Sequence, residues 1–162
     1  MQTLTDTNLQ IQSRYQLNVV GESENLTLRE QYCPVTQWRS DSERSIKKVL
    51  ITAGEDFSHL FDHLASLSHI VVEFPVFTDG RGFSTARELR ERGYSGNLVA
   101  AGEFIVDQVD YLARCGFDTF EFSSESLAEI ARRKLNSNQE VYQGDALQPL
   151  PLFRRRHAAG VI

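Results

Sequence analysis

Cysteine, methionine, tryptophan and proline are scarce in this chain, whose 162 residues include two Cys, one Met, one Trp and four Pro. The cysteines, Cys33 and Cys115, lie far apart with no CxxC spacing, which excludes a disulfide-rich scaffold and fits a reducing cytoplasm. Four Pro and ten Gly are too few for a disordered or fibrous protein. No apolar run is long enough to cross a bilayer, and the first ten residues do not resemble a signal peptide. We therefore expect a cytoplasmic globular protein with no membrane partner.

The net charge of −5 is distributed unevenly along the chain. Acidic and basic residues balance over residues 1–48, whereas residues 49–129 carry a net charge of −9 and residues 130–162 a net charge of +4. An acidic centre repels a phosphate backbone, so we expect no nucleic-acid partner. The basic C-terminal segment is expected to be a solvated, partly mobile tail, and the alternative is a docking tail for an acidic partner.

From residue 49 onward, short apolar runs alternate with segments of helical periodicity. The runs predict strands at residues 49–53, 69–74, 97–101 and 119–122. The segments between and after them predict helices at residues 55–67, 84–92, 103–115 and beyond 124. Regular alternation with short connections implies parallel strands and right-handed crossovers. We predict an α/β fold with four βα units and a mainly parallel sheet, and we favour an open sheet over a half-barrel because four units cannot close a barrel.

The predicted helices are amphipathic, which identifies the side chains expected in the core. Ser84 is the expected N-cap of the second helix, and Gly93 and Gly116 are expected to end the second and third helices. Inward-facing positions on the helices include Phe57, Leu60, Phe61, Leu64, Leu67, Ile105, Val109, Leu112, Leu127, Ile130, Ala131 and Leu135. Burial is predicted for five residues, Phe61, Val72, Leu89, Leu112 and Phe120.

Residues 1–48 have a different pattern, in which apolar and polar residues alternate. The alternating apolar residues are Leu9, Ile11, Tyr15, Leu17, Val19, Leu26 and Leu28. This predicts one or two antiparallel strands, which form a hairpin-like extension packed on the core. Trp38 is expected to anchor that extension. The predicted organisation is an extension at 1–48, an α/β core at 49–143 and a basic tail at 144–162.

Four connections are expected to meet at the carboxyl ends of the strands, where open α/β sheets bind ligands. The most informative is Thr78-Asp79-Gly80-Arg81-Gly82, which is longer than a minimal turn and leads into a helix N-terminus. Its glycines are expected to allow close backbone approach or positive φ, and Arg81 to clamp a carboxylate, sulfate or phosphate. The alternative is a simple turn in which Arg81 pairs with a neighbouring carboxylate.

Other chemistry-bearing residues give weaker signals. Five carboxylates would suit a hard cation such as Mg²⁺; they are Glu73, Asp79, Glu103, Asp107 and Glu121. We favour internal ion pairs with Arg81, Arg87 and Arg114 over a metal site, and we predict no metal. His59 and His63 are expected to be exposed, and Cys115 is expected to be a buried structural thiol. Neither a Walker A nor a GxGxxG sequence occurs, and no flavin, nicotinamide or Fe–S motif is present, so no cofactor is predicted.

Several ordered motifs resemble one bacterial family. They are Val72-Glu-Phe-Pro75, Phe77-Thr-Asp-Gly-Arg-Gly-Phe-Ser84, Ala86-Arg87, Leu89-Arg90-Glu91-Arg92, Ala101-Gly102, Asp107-Gln108, Arg114-Cys-Gly-Phe-Asp118 and Phe120-Glu121. The resemblance is to the domain of unknown function 934 and spans roughly residues 35–143. Members carry an oxidoreductase label linked to sulfite reduction, and their genes lie beside that of assimilatory sulfite reductase. One departure is Glu103, where much of the family has Asp.

The resemblance implies an accessory protein of assimilatory sulfate and sulfite reduction that acts with sulfite reductase as its partner. The alternative is a small enzyme, or a binding protein, for a sulfur oxyanion or an anionic metabolite at the Asp79-Gly80-Arg81-Gly82 loop. The family supplies no catalytic residues, and its label leaves open whether the protein is an enzyme. The predicted ligand- or partner-binding residues are Thr78, Asp79, Gly80, Arg81, Gly82, Glu103, Asp107 and Gln108.

Overall fold

The computed structural model describes residues 15–20, 32–39, 47–137, 142–146 and 148–158. The strands in these ranges are β1 (Gln16–Val19), β2 (Cys33–Pro34), β3 (Lys48–Thr52), β4 (His69–Phe74), β5 (Asn97–Gly102) and β6 (Thr119–Phe122). The α-helices are α1 (Arg81–Glu91), α2 (Val109–Cys115), α3 (Glu125–Ser137) and α4 (Leu152–Ala158). Two 3-10 helices span Ser58–Ser66 and Val106–Gln108.

The six described strands form one open sheet in the order β1-β6-β5-β4-β3-β2, and every neighbouring pair is parallel. At the centre of the sheet, β4 and β5 are paired along their whole length, from His69 opposite Asn97 to Phe74 opposite Gly102. The four predicted strands match β3 to β6 within one residue at each end. The α/β fold with an open parallel sheet is therefore confirmed.

The N-terminal strands pair differently from the prediction. β1 runs parallel to β6, and β2 runs parallel to β3, so the two strands lie at opposite edges of the sheet. Antiparallel pairing is therefore wrong for these strands, because each adds to an existing parallel edge instead of pairing with the other. Leu9, Ile11, Leu26 and Leu28 lie outside the described residues. Trp38 is buried in the main core, as expected of an anchor.

The two faces of the sheet are covered differently. On one face the strands pack against the helices, and this cluster contains most of the buried side chains. The other face carries a small cluster of Val71, Val99 and Ala101, against which Tyr32 and Leu50 pack. Right-handed connections between sequential neighbours put successive helices on the same face of the sheet. Accordingly, no described helix contributes to the small cluster, and we call the side that carries it the small-cluster face.

Three predicted helices begin differently in the structure, and the one predicted at residues 103–115 is the 3-10 helix Val106–Gln108 followed by α2 (Val109–Cys115). α1 begins at Arg81, so Ser84 lies inside it and is not its N-cap. The reason is that the Asp79 carboxylate accepts a hydrogen bond from the Arg81 backbone N–H, which satisfies a donor of the first turn. The first predicted helix is a 3-10 helix, Ser58–Ser66, and not an α-helix. Gly116 ends α2 with φ +114°, as predicted.

The predicted core is correct in the strands and less so in the helices. Val72, Leu89, Leu112 and Phe120 are fully buried. Phe61 is only partly buried; its ring packs at the margin of the main core, where the Arg92 guanidinium lies over it at 3.6 Å from the centroid. Three helix positions that were predicted to face inward are exposed instead: Ile105, Leu127 and Ile130. On α3 the buried side chains are Ala128, Ala131 and Leu135.

Arg90 on α1 connects the amino ends of β5 and β6. Its guanidinium donates to the carbonyl oxygens of Gly116 at 2.9 Å, Tyr94 at 2.8 Å and Gly96 at 2.9 Å, and to the Asp118 carboxylate at 2.8 Å. Asp118 in turn accepts a hydrogen bond from the backbone N–H of the second residue of β5. One side chain therefore satisfies several polar groups where the loops enter the sheet.

The C-terminal segment predicted as a basic tail contains helix α4, and part of it contacts the core. Asp145 is buried and pairs with Arg114, the basic residue in the last turn of α2. Among the described residues, no helix combines the length and the apolarity needed to span a membrane.

Candidate functional site

The loop that follows β4 holds Arg81 in a fixed position. The Asp79 carboxylate accepts hydrogen bonds from the Arg81 Nε at 2.9 Å and Nη2 at 2.7 Å, and from its backbone N at 3.0 Å. These bonds favour the ionised carboxylate and lower the pKa of Asp79 to about 2. The Asp79 side chain is 8% exposed, whereas the Arg81 side chain is 66% exposed. The turn with a local ion pair, which was the alternative for Arg81, is therefore what this loop contains.

Arg81 also contacts the loop that follows β3. Its guanidinium lies against Gly54, which has φ +94°, and a Cβ atom at Gly54 would collide with Arg81. A residue with a side chain would therefore meet both an unfavourable backbone conformation and a steric clash there. The Gly54 position lets the ends of β3 and β4 form one surface.

The two glycines of the loop have a different role from the predicted one. Neither Gly80 nor Gly82 has positive φ. Gly80 has open space where a Cβ would lie, whereas a Cβ at Gly82 would meet the Phe74 ring at 2.5 Å. Gly82 thus allows α1 to pack closely onto β4. An outward-facing backbone N–H is not the reason for a glycine at this position. Thr78 is exposed beside them.

Gln108 joins the loops that follow β4 and β5. Its Nε2 donates to the Phe77 carbonyl oxygen at 3.0 Å, and its Oε1 accepts from the Ile105 backbone N at 3.1 Å. Asp107, its neighbour, points to α3 and pairs with Lys134 at 2.8 Å. Of these two predicted residues, Gln108 therefore belongs with the Arg81 loop, while Asp107 does not contribute to it.

Exposed apolar side chains surround this junction. Val76 and Phe77 are each 52% exposed, and Ile105 is 45% exposed. The backbone of Val76 is tied to Asp79 by a hydrogen bond of 3.0 Å, so these residues lie in one region with Arg81. We call Val76, Phe77, Arg81 and Ile105 the strand-end surface. Its apolar part was not predicted from the sequence, although Val76 and Phe77 follow Pro75 outside any predicted element.

A cavity of about 330 Å³ lies on the small-cluster face at the same end of the sheet, and Leu127 of α3 contributes to its wall. Of the eight predicted site residues, only Glu103 lines it. The other carboxylates at its wall are Glu73 and Glu121, which point out of β4 and β6 onto this face. Apolar side chains form most of the remaining wall, and they are Val20, Leu50, Val71, Ala101, Phe104, Phe122 and Leu127.

Glu121 is a desolvated carboxyl group in the wall of this cavity. Burial raises the pKa of Glu121, and among the described residues it has no hydrogen-bond or ion-pair partner. Tyr32 shares the cavity wall, and burial, together with the nearby Glu121 charge, raises the pKa of the Tyr32 hydroxyl. Glu73 lies 3.5 Å from the Thr52 hydroxyl. The cavity therefore combines apolar walls with a desolvated negative charge.

The other candidates from the sequence do not assemble into a centre. Within the described ranges, no group of three or more His, Cys, Asp and Glu side chains is placed to hold a metal ion. The sequence predicted ion pairs between these carboxylates and nearby arginines, and the pair of Asp79 with Arg81 is present. Arg87 pairs instead with Glu91, which is not one of the five carboxylates. Cys115 is buried, as predicted, and burial raises the pKa of its thiol.

The histidines were expected on the surface, and only one of them lies there. His59 is exposed and its Nε2 lies 3.0 Å from the Val35 carbonyl oxygen. His63 is half-buried, because its ring packs against Trp38 with a centroid distance of 5.3 Å. Trp38 is thus held by both imidazoles, which gives them a packing role.

A larger groove of about 640 Å³ lies between α1 and α2, away from the strand ends. Its three arginines are Arg87, Arg92 and Arg114, and each of them pairs with an acidic residue of the same groove. Charges that are already paired at short range leave little attraction for a charged ligand. We therefore place the candidate site at the strand ends, which is also where parallel sheets bind ligands.

Comparison with known proteins places the chain in a family. A family model described as "Bacterial protein of unknown function (DUF934)" matches residues 48–153. The match begins at the first residue of β3 and ends within α4, so it contains the strand-end surface and covers well over half of the chain. No curated protein and no solved structure matched the sequence. The chain therefore belongs to the DUF934 family of bacterial proteins of unknown function.

Proposed function

We propose that this protein is an accessory protein of assimilatory sulfate and sulfite reduction, and that it binds sulfite reductase through the strand-end surface. The observation that carries the binding role is the exposure of Phe77, Val76 and Ile105 next to an Arg81 that is held in place by Asp79. Contiguous exposed apolar side chains are typical of interaction sites, and interface cores are enriched in aromatic residues and Arg. The choice of partner rests on the resemblance of the motifs to proteins linked to sulfite reduction.

The geometry favours binding of a protein over binding of a small oxyanion at this loop. Asp79 already occupies the Nε and Nη2 donors of Arg81, which form one of the two guanidinium edges that can make two parallel hydrogen bonds to a sulfate or a carboxylate. Arg81 also lines neither of the two cavities described above. An oriented, mostly exposed guanidinium beside apolar side chains suits the rim of a protein interface better.

Binding can be tested with purified sulfite reductase and two matched isoleucine variants. Ile105 and Ile130 are both 45% exposed, but only Ile105 belongs to the strand-end surface. Ile105→Ala and Phe77→Ala should each weaken the complex by about tenfold or more, as expected for a residue in an interface core. Ile130→Ala should bind as the wild type does. Absence of a complex at low salt, or equal losses in Ile105→Ala and Ile130→Ala, would refute this docking surface.

The pathway assignment has a separate test in a deletion strain. Loss of the gene should prevent growth on sulfate and on sulfite, and sulfide should restore growth, because sulfide lies after the reductase step. Complementation with wild-type protein should restore growth on sulfite, and complementation with the Phe77→Ala variant should restore it poorly. Normal growth of the deletion strain on sulfite would exclude the pathway, whatever the binding experiment shows.

A further inference from the structure

The cavity on the small-cluster face is distinct from the strand-end surface and has features of a small-molecule site. It lies at the carboxyl ends of parallel strands, and its volume of about 330 Å³ is in the range of small ligand pockets. Val71 and Ala101 form part of an apolar floor contributed by β4 and β5, and Phe104 adds an aromatic wall. These walls would bury the apolar body of a ligand.

The charge on the cavity wall has one sign. Glu73, Glu103 and Glu121 line the cavity, and no Lys, Arg or His is among its described lining residues. Lys48 lies on the same face, but it is placed over the Tyr32 ring, with Nζ 5.7 Å from the centroid, and does not line the cavity. The carboxylates enter from separate elements and do not form the close group that a metal ion would need.

Glu121 gives the strongest indication of what the cavity takes. It projects from the middle of β6 into a setting that desolvates it, and no partner among the described residues compensates its charge. A desolvated carboxylate without a partner is costly, and a charge-assisted hydrogen bond from a cation removes that cost. An anion would instead meet three like charges on the cavity wall.

We propose that this cavity binds an organic cation, a small molecule with a protonated amine that pairs with Glu121 and an apolar body that packs on Val71, Ala101 and Phe104. The apolar walls select the body of the ligand, and the unpaired carboxylate selects its charge. This proposal is independent of the partner assigned to the strand-end surface, because it concerns a different face and different residues.

The proposal can be tested with two probes of similar shape, cyclohexylammonium and neutral cyclohexanol, which are titrated into the full chain and followed by amide NMR shifts. Cyclohexylammonium should bind at least about tenfold more tightly than cyclohexanol, because only the ammonium makes a charge-assisted hydrogen bond. Saturable shifts should include the amides of Ala101 and Glu121. Equal affinities for the two probes, or no saturable shift at these amides, would overturn the proposal.

Variants separate a built site from general attraction to an acidic protein. Glu121→Gln should weaken cyclohexylammonium binding by about tenfold or more and leave cyclohexanol binding within about twofold of wild type. Asp62→Asn is the control, because it removes one exposed charge from the helix-covered side of the sheet. If Asp62→Asn weakens the ammonium as much as Glu121→Gln does, the attraction is not specific and the proposal fails. Ala101→Leu should abolish binding of both probes by filling the cavity, and retained binding would place the probes elsewhere.

Discussion

Removal of Arg90 should destabilise the fold more than removal of any exposed arginine on the same helix. Arg90→Ala deletes a guanidinium that donates to three carbonyl oxygens and to the Asp118 carboxylate, all at 2.8 to 2.9 Å. The side chain is 18% exposed, so water reaches its acceptors poorly once the guanidinium is gone. The acceptors lie in the loops that lead into β5 and β6, so the variant loses the hydrogen bonds that attach these loops to α1.

The expected cost follows from the number and the setting of these bonds. A hydrogen bond to a charged group contributes about 1.5–3 kcal/mol, and breaking a buried ion pair costs about 3–5 kcal/mol. Asp118 is 35% exposed, so it regains part of its solvation, and the bonds are not additive. We expect Arg90→Ala to lower the free energy of unfolding by about 3 kcal/mol. Arg90→Lys should lose about 2 kcal/mol, because one ammonium cannot reach the same spread of acceptors.

Urea unfolding followed by far-UV circular dichroism measures this difference directly. Arg87→Ala is the matched control, because Arg87 lies on the same helix and makes only an exposed pair with Glu91 at 2.8 Å. Its cost should stay below about 0.5 kcal/mol. If Arg90→Ala and Arg87→Ala destabilise the protein equally, with unchanged m-values, the loops near β5 and β6 do not depend on Arg90 and the reasoning is wrong.

Three further predictions concern the strand-end loop and the helix-covered face. Gly82→Ala should cost about 2 kcal/mol in urea unfolding, because the added methyl group would meet a buried aromatic ring, whereas Gly80→Ala should stay within about 0.5 kcal/mol of wild type. The Asp79 carboxyl should titrate near pH 2 in NMR. Because its pKa is lowered in the folded state, its stabilising contribution is present above pH 3.8 and is lost as the pH falls toward 2. The Asp79→Asn variant should lack this pH dependence of stability. Phe61→Ala should lower the free energy of unfolding by about 1–2 kcal/mol, because the side chain is only partly buried. A fully buried ring would typically cost about 3–5 kcal/mol, and a loss of that size would contradict the observed exposure.

The strands could be predicted from the sequence because their signal is local. His69–Phe74 and Asn97–Gly102 are short apolar runs bounded by breakers, and a strand buried on both faces must have that composition. The partner of a strand is not a local property. Gln16–Val19 alternates between apolar and polar residues, which fits an antiparallel edge as well as a parallel one, and its pairing with β6 depends on contacts about a hundred residues away.

Helix faces were harder to predict because several apolar residues had no room in the core. On α3 the small side chains of Ala128 and Ala131 face inward, and the larger Leu127 and Ile130 are exposed. Close helix packing on a sheet selects small residues where backbones approach, and this constraint depends on tertiary structure. A helical pattern alone assigns the larger residue to the core, which produced the wrong prediction for these two positions.

The sequence analysis and the structure place the candidate site at the same end of the sheet, but the predicted residues do not include the apolar part of the strand-end surface. The topological rule for parallel sheets identified the strand ends, and Arg81 with Gln108 does lie there. The exposure of Phe77 could not be read from the sequence, because an apolar residue after a strand is as easily buried under a loop as exposed. The sequence shows that residue 121 is a glutamate, but only the structure shows that no described residue pairs with its carboxylate.

The family motifs divide between the two ends of the sheet. Arg90 and Asp118 are motif residues, and they form the hydrogen-bond network at the amino ends of β5 and β6. Phe77, Arg81 and Gln108 are also motif residues, and they lie at the carboxyl ends. Amino-end residues satisfy buried backbone groups, so their substitution should lower stability and through it every activity. Carboxyl-end residues are mostly exposed, so a variant there that loses function while it unfolds normally identifies the residues through which the family acts.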